Sequence, residues 1–245
     1  MRIKLLGSYL DCLTMDETIE KIIKAIDKKE KIQHVVINAS KINLMRSNKE
    51  LESIVNSCPI INADGQSIVW AGRFLGHNVP ERVAGIDLFD NLIKVCAEKG
   101  YKPYFFGAKQ HVVNNVVEYY KLKFPNLKIA GYRNGYFNED ESEKIAEEIY
   151  KSGADLLFVA FSSPMKEFWI KEYMPIMKVP FAMGVGGSFD VIAGETSRAP
   201  KWMQKTGLEW FHRFIQEPKR MFKRYIIGNF IFVKSVVVEK GRGPR

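Results

Sequence analysis

The sequence is poor in the residues that hold metals and disulfides. Three cysteines, Cys12, Cys58 and Cys96, and four histidines, His34, His77, His111 and His212, occur in 245 residues. The cysteines lie far apart in apolar surroundings, which excludes a disulfide frame and fits reduced, buried thiols. Neither Cys-x-x-Cys nor His-x-x-x-His is present, and no Asp-x-Asp follows a strand-like run, so no metal is expected. No apolar run reaches the roughly 20 residues of a membrane-spanning helix. The start, Met1 to Gly7, turns polar too quickly for a signal peptide, and the composition points to a cytosolic protein. The chain has no Gly-Lys-Ser/Thr of a P-loop. Gly184-Val185-Gly186-Gly187-Ser188-Phe189 breaks the dinucleotide pattern at its sixth position. Internal repeats and low-complexity segments are absent.

Acidic residues are scarce in one region only. Residues 1–197 carry 25 Lys and Arg against 25 Asp and Glu, whereas residues 198–245 carry 12 against Glu209, Glu217 and Glu239. The whole net charge of +9 therefore sits in the last fifth of the chain. Such asymmetry calls for a polyanionic partner, an anionic membrane surface or nucleic acid. No nucleic-acid motif supports the second. In the run Glu217 to Gly228, Met221, Phe222, Tyr225 and Ile226 fall on one side of a helix and Lys219, Lys223 and Arg224 toward the other. That pattern suits a helix lying on anionic lipid, and equally a helix packed on its own domain or on a second subunit of a homo-oligomer.

Apolar residues make up 46% of the chain, enough for a full core. Short apolar runs, His34 to Asn38, Pro59 to Asn62, Lys102 to Phe106, Leu127 to Tyr132, Asp155 to Ala160 and Phe181 to Val185, alternate with helical stretches. Thr14 with Glu17, and Asn138 with Glu141, form capping boxes that start two helices. A further helix runs from Pro164 through Trp169. Alternation of this kind implies an α/β fold, a doubly wound and mostly parallel Rossmann-like sheet. The expected organisation is a catalytic core, 1–197, and a basic, helical C-terminal appendage, 198–245. Ligands bind such sheets beyond the carboxyl ends of the strands. Asn38, Asn62-Ala63-Asp64-Gly65, Gly107, Ser162-Ser163-Pro164 and Gly186-Gly187 are brought there together.

Two roles are open to Asp64. It caps the helix that follows its strand, or it takes a proton from an incoming hydroxyl. Arg82 either holds a phosphate or stays solvated, and Asp87 reads as a helix cap. The Gly186-Gly187 turn lets a ligand approach exposed backbone N–H groups, with Arg198 and Lys201 close behind in sequence. Such a turn holds a diphosphate without a metal, or simply joins a strand to a helix.

Five motifs stand in order: Asn62-Ala63-Asp64-Gly65, Glu81-Arg82-Val83-Ala84-Gly85, Gly184 to Asp190, Arg198-Ala199-Pro200, and Gly207-Leu208-Glu209-Trp210 with Gln216-Glu217-Pro218-Lys219-Arg220. Together, and over nearly the whole chain, they resemble the WecG/TagA/CpsF family of bacterial glycosyltransferases. The resemblance implies an inverting, metal-independent transfer of a sugar from a UDP donor to a polyprenyl-diphosphate-linked acceptor on the cytosolic membrane face, in teichoic acid, common antigen, capsule or exopolysaccharide synthesis. Asp64 then corresponds to the general base. Asn38, Asn62, Arg82, Lys166, Gly186, Gly187, Arg198, Arg213, Arg220 and Arg224 correspond to substrate contacts, and the tail completes the site while docking on the membrane. Val36 and Lys166 stand where many relatives have Thr and Gln, which leaves the donor sugar open. A non-catalytic polyanion-binding module using the basic tail is the rival reading.

Overall fold

The computed structural model describes residues 1–242, apart from the side chains of Lys205, Arg220, Lys223 and Arg224. The end of the expected appendage, residues 243–245, lies outside the described residues. The chain opens with a hairpin, β1 (Arg2–Leu5) and β2 (Ser8–Asp11), turned at Leu6 and Gly7. α1 (Met15–Asp27) starts on its capping box: the Glu17 N–H donates to Thr14 Oγ1 and the Thr14 N–H to the Glu17 carboxylate. β3 (Ile32–Ile37), α2 (Ala39–Ser47), α3 (Lys49–Ser57), β4 (Ile60–Ala63), α4 (Gln66–Phe74), α5 (Gly85–Lys99), β5 (Pro103–Gly107), α6 (Gln110–Lys123) and β6 (Gly131–Arg133) follow. α7 (Ser142–Lys151), β7 (Leu156–Ala160), α8 (Met165–Met177), β8 (Phe181–Gly184) and α9 (Ser188–Ile192) complete the body. The tail folds as α10 (Lys201–Lys205), α11 (Glu209–Gln216), α12 (Pro218–Phe222), a π-helical stretch Lys223–Ile227 and α13 (Gly228–Gly241).

Three boundaries differ from the sequence reading. The strand expected from Leu127 forms only at Gly131–Arg133, because the Leu127 N–H closes a turn onto the Phe124 carbonyl. Asn138 and Glu141 do form their box, but around a separate 3₁₀ turn, Glu139–Glu141, ahead of α7. The helix beyond Pro164 does not stop near Trp169; it runs on to Met177 and carries Pro175 inside.

β4-β3-β8-β7-β5-β6 form one parallel sheet. Its strands are buried almost throughout, as parallel strands covered on both faces must be. On one face α1, α5, α6 and α9 pack through Ile22, Phe89, Val116 and Phe189 onto Phe105, Phe158 and Phe181. On the other, α2, α3 and α4 pack beside the hairpin, and α7 and α8 cover β5 and β7. The chain therefore leaves β8 toward the first face, into α9, whereas it leaves both neighbours, β3 and β7, toward the second. In open α/β sheets, divergent exits of this kind mark the strand end where ligands bind, here the carboxyl end of β8.

The basic tail is held at two places. Its start lies over the rim of the sheet, described below. Its last helix, α13, returns to the second face, where Phe232 and Val236 are buried in the cluster formed by α2, α3 and the hairpin. Burying two such side chains contributes about 1.5–3 kcal/mol each. The Asn43 side-chain amide donates to the Gly228 carbonyl at 2.7 Å, and the Leu6 N–H donates to Glu239 at 2.9 Å. Among the described residues no helix is long and apolar enough to cross a membrane.

Candidate active site

The site is built from strand ends. β4 delivers Asp64, partly buried, whose own N–H is tied to the Ile37 carbonyl of β3 at 2.9 Å. Its carboxylate does not cap the helix that follows. That cap is Gly65, with no side-chain bond. Instead Asp64 Oδ1 accepts the backbone N–H of Gly85, the first residue of α5, at 2.8 Å, and Asn38 Nδ2 lies 3.4 Å from Oδ2. Asn38 also caps α2 by accepting the Lys41 N–H at 3.0 Å. One residue thus fixes a helix start and one side of the carboxylate. A methyl group at Gly85 would lie 3.6 Å from Val36 and 3.7 Å from Met183, so these apolar side chains floor the same corner.

Asn62 lies beneath that rim. It is fully buried, with Oδ1 2.8 Å from His34 Nε2 and Nδ2 donating to Thr18 Oγ1 at 3.0 Å. It reaches a ligand only through its neighbours. Burial pushes His34 down to about 4, against the opposing pull of its bond to Asn62, which keeps the imidazole neutral.

Two strands along from β4, at the end of β8, stands the glycine turn. Gly186 has φ of 54°, in the left-handed region where glycine has no Cβ cost. A methyl at Gly184 would lie 2.6 Å from Lys166 Cδ and one at Gly186 3.3 Å from Lys166 Nζ, so the Lys166 side chain lies across the turn. Lys166 Nζ is 3.9 Å from Glu167, which also pairs with Lys41. Lys41 and Glu167 are only 6% and 2% exposed, and the Ser163 hydroxyl donates to the same Glu167 oxygen at 3.1 Å. From the tail, the Arg213 guanidinium comes within 3.6 Å of the place a Cβ on Gly187 would occupy. Two cations thus converge on one turn, where Asp190 Oδ2 also lies 3.7 Å from that Cβ place and the Ser188 N–H is held by the Val185 carbonyl. Two cations at a glycine turn suit a di-anion.

Arg82 and Arg198 are joined through acids. The Val83 N–H donates to the Ala63 carbonyl at 2.8 Å, which brings the loop before α5 back to the rim. Arg82, 13% exposed, pairs with Glu209 of α11 and lies 3.9 Å from Asp87, so it is not solvated. Asp87 is not a cap: α5 is capped by Ala84, and Asp87 in its first turn takes both Nη atoms of Arg198, at 2.7 and 2.8 Å. Against the cost of burial, Asp87 and Glu209 hold Arg198 above the ordinary arginine range. The side chains of Arg220 and Arg224 lie outside the described residues. Nothing in the residue pattern marks the Lys41–Glu167 pair; a faint signal exists for Glu209, an acid isolated in a basic tail.

Among the described residues no group of three His, Cys, Asp or Glu side chains is gathered that would hold a metal ion. Arg82 and Arg198 are thus joined through Asp87 and Glu209, Lys166 and Arg213 reach the glycine turn, and Asp64 stands at the end of β4, two strands from that turn. The family model described as "Glycosyl transferase WecG/TagA/CpsF family" matches residues 3–245. An N-acetylglucosaminyldiphosphoundecaprenol N-acetyl-beta-D-mannosaminyltransferase of Bacillus spizizenii is 34% identical over 184 residues, 75% of this chain and 71% of that protein. A protein of the same description from Bacillus subtilis is 36% identical over 167 residues, 68% of this chain and 64% of that protein.

Proposed function

The chain belongs to the WecG/TagA/CpsF family of glycosyltransferases, and from that premise we propose that it moves an N-acetylmannosamine-type sugar, or a related hexose, from a UDP donor to a polyprenyl-diphosphate-linked acceptor. Asp64 acts as the base. Its proton comes from the acceptor hydroxyl, whose oxygen attacks the anomeric carbon as the bond to UDP breaks on the far side. In-line attack inverts the anomeric centre.

The placement of Asp64 relative to the glycine turn carries this reading. Strands in a sheet lie about 4.8 Å apart, so the ends of β4 and β8 are separated by roughly 10 Å. A base within hydrogen-bond reach of a hydroxyl that is itself near-attack sits about 6 Å from the anomeric carbon. Two further bonds reach the leaving phosphorus, at roughly 9 Å. The carboxylate and the cationic turn are spaced for the two ends of that line. Lys166, Arg213 and the backbone N–H groups of the turn take the leaving diphosphate charge, and the transfer needs no metal.

The acceptor is a lipid, so the enzyme works at the cytosolic membrane surface. Phe211, Ile215, Phe222, Phe230 and Val233 are exposed on the tail, on the stretch that carries the excess of Lys and Arg. Apolar side chains interleaved with cations favour peripheral docking on anionic lipid. The test is a screen of UDP-sugars with an N-acetylglucosaminyl diphosphate lipid, read by mass spectrometry with and without EDTA. Transfer of one sugar, unchanged by EDTA, is expected. Salt-sensitive polynucleotide binding with no UDP binding and no transfer overturns the proposal.

A further inference from the structure

α4 begins two residues after Asp64. Gln66, Trp70 and Phe74 recur every four residues along it and so share one face, each about 6 Å further along the axis. This is not the face that packs: Ile68, Val69 and Ala71 enter the core, whereas Trp70 is 55% and Phe74 54% exposed. Single exposed apolar residues are ordinary on protein surfaces. These two are neither single nor isolated. Gly207 of the tail, at φ of 72°, packs so closely that a methyl there would lie 2.9 Å from Gln66 and 3.1 Å from Trp70. At the far end, Lys240 Nζ stands 5.5 Å from the centre of the Phe74 ring, which sets the end of α13 beside α4. On α13, three residues before Lys240, Val237 is 58% exposed.

We propose that the Trp70–Phe74 stripe is the track for the isoprenoid chain of the acceptor lipid; this rests on the acceptor class proposed above. A lipid-linked acceptor must set a sugar hydroxyl at Asp64 while its hydrocarbon leads away to the bilayer. The sugar and its diphosphate are polar and lie at the N-terminal end of α4, beside the place where Gly207 crosses Gln66 and Trp70. The chain beyond them needs an apolar wall that starts there and ends at the membrane-facing tail. The stripe starts next to the proposed base, runs about 12 Å from Gln66 to Phe74 and ends against α13. Lys240 over Phe74 places a cation where the track meets anionic headgroups.

The experiment uses the full chain in detergent with two acceptors, N-acetylglucosaminyl diphosphate on a long polyprenyl chain and the same head on a short alkyl chain. In Trp70→Gln/Phe74→Gln, kcat/KM for the long-chain acceptor falls at least tenfold, mostly through KM, and the preference for the long chain is lost. Trp70→Leu/Phe74→Leu restores that preference, and sedimentation with anionic vesicles stays as in the parent protein. Equal losses with both acceptors, or no loss with either, overturn the track. So does loss of vesicle binding with an unchanged long-chain KM, which would assign the stripe to the bilayer itself. If the parent protein transfers to neither acceptor, the acceptor class falls, and the track with it.

Discussion

The carboxylate of Asp64 receives the backbone N–H of Gly85 at 2.8 Å. The residue at the end of one strand is thus oriented by the first turn of a helix 21 residues further on. One oxygen is engaged by that N–H, and the other faces Asn38 at 3.4 Å.

Asp64→Asn preserves an oxygen acceptor for Gly85 and removes the proposed base. Its unfolding midpoint should match the parent, while kcat for transfer falls by about 10²–10⁴. Turnover within a fewfold of the parent would take Asp64 out of the role.

The bidentate pair between Asp87 and Arg198 fastens the start of the tail to α5, and Glu209, one turn before Arg213, is held by Arg82. Asp87→Asn removes the charge and one acceptor of that fork. Arg198→Lys keeps the charge but not the geometry. Both should speed tryptic cleavage at the Lys and Arg residues beyond Ser197 severalfold and raise the KM for the UDP-sugar. A cleavage rate like the parent's in both variants would refute the fastening role.

Lys41 and Glu167 are buried together, with Lys166 and Ser163 on the same carboxylate. Removing one partner of a buried pair leaves a charge without compensation, typically at 3–5 kcal/mol. Glu167→Gln should therefore lower stability in urea by about 3 kcal/mol. The double change Lys41→Met/Glu167→Leu should cost clearly less. A double variant no better than the single one would contradict this.

His34 titrates at about 4 in the folded chain, below its ordinary value of 6.5. Between those values the unfolded chain binds the proton and the folded chain does not. Stability therefore rises with pH through this window and falls as the solution is acidified. From pH 6.5 to pH 5 the loss is on the order of 2 kcal/mol. Chemical denaturation of the parent and His34→Gln at both pH values measures it. Equal slopes in the two proteins would show that His34 is not the group responsible.

The fold was legible because its cues are local. The buried runs at His34 to Ile37 and Phe181 to Gly184, and the Thr14–Glu17 box, each announce an element without reference to the rest of the chain. The strand expected from Leu127 failed for the opposite reason: a turn and the neighbouring β5, not propensity, decide where pairing starts. The rim position of Asp64 was also readable, since it follows from strand polarity. What it touches was not: Gly85 and Asn38 meet it only through the sheet order. The same holds for Asp87. In sequence it reads as a cap, and only the return of the tail across the rim makes it the partner of Arg198.

One consequence of the strand order concerns how the site comes into being. Among the described residues β8 alone pairs with both β3 and β7, so without residues 181–184 the sheet is two separate ribbons, β4-β3 and β7-β5-β6. Inserting this late segment zips the ribbons together across long sequence separations, a slow kind of closure. The glycine turn lies at that seam. Completion of the sheet and assembly of the proposed donor site are one event, so an intermediate lacking β8 would lack the turn proposed to hold the nucleotide.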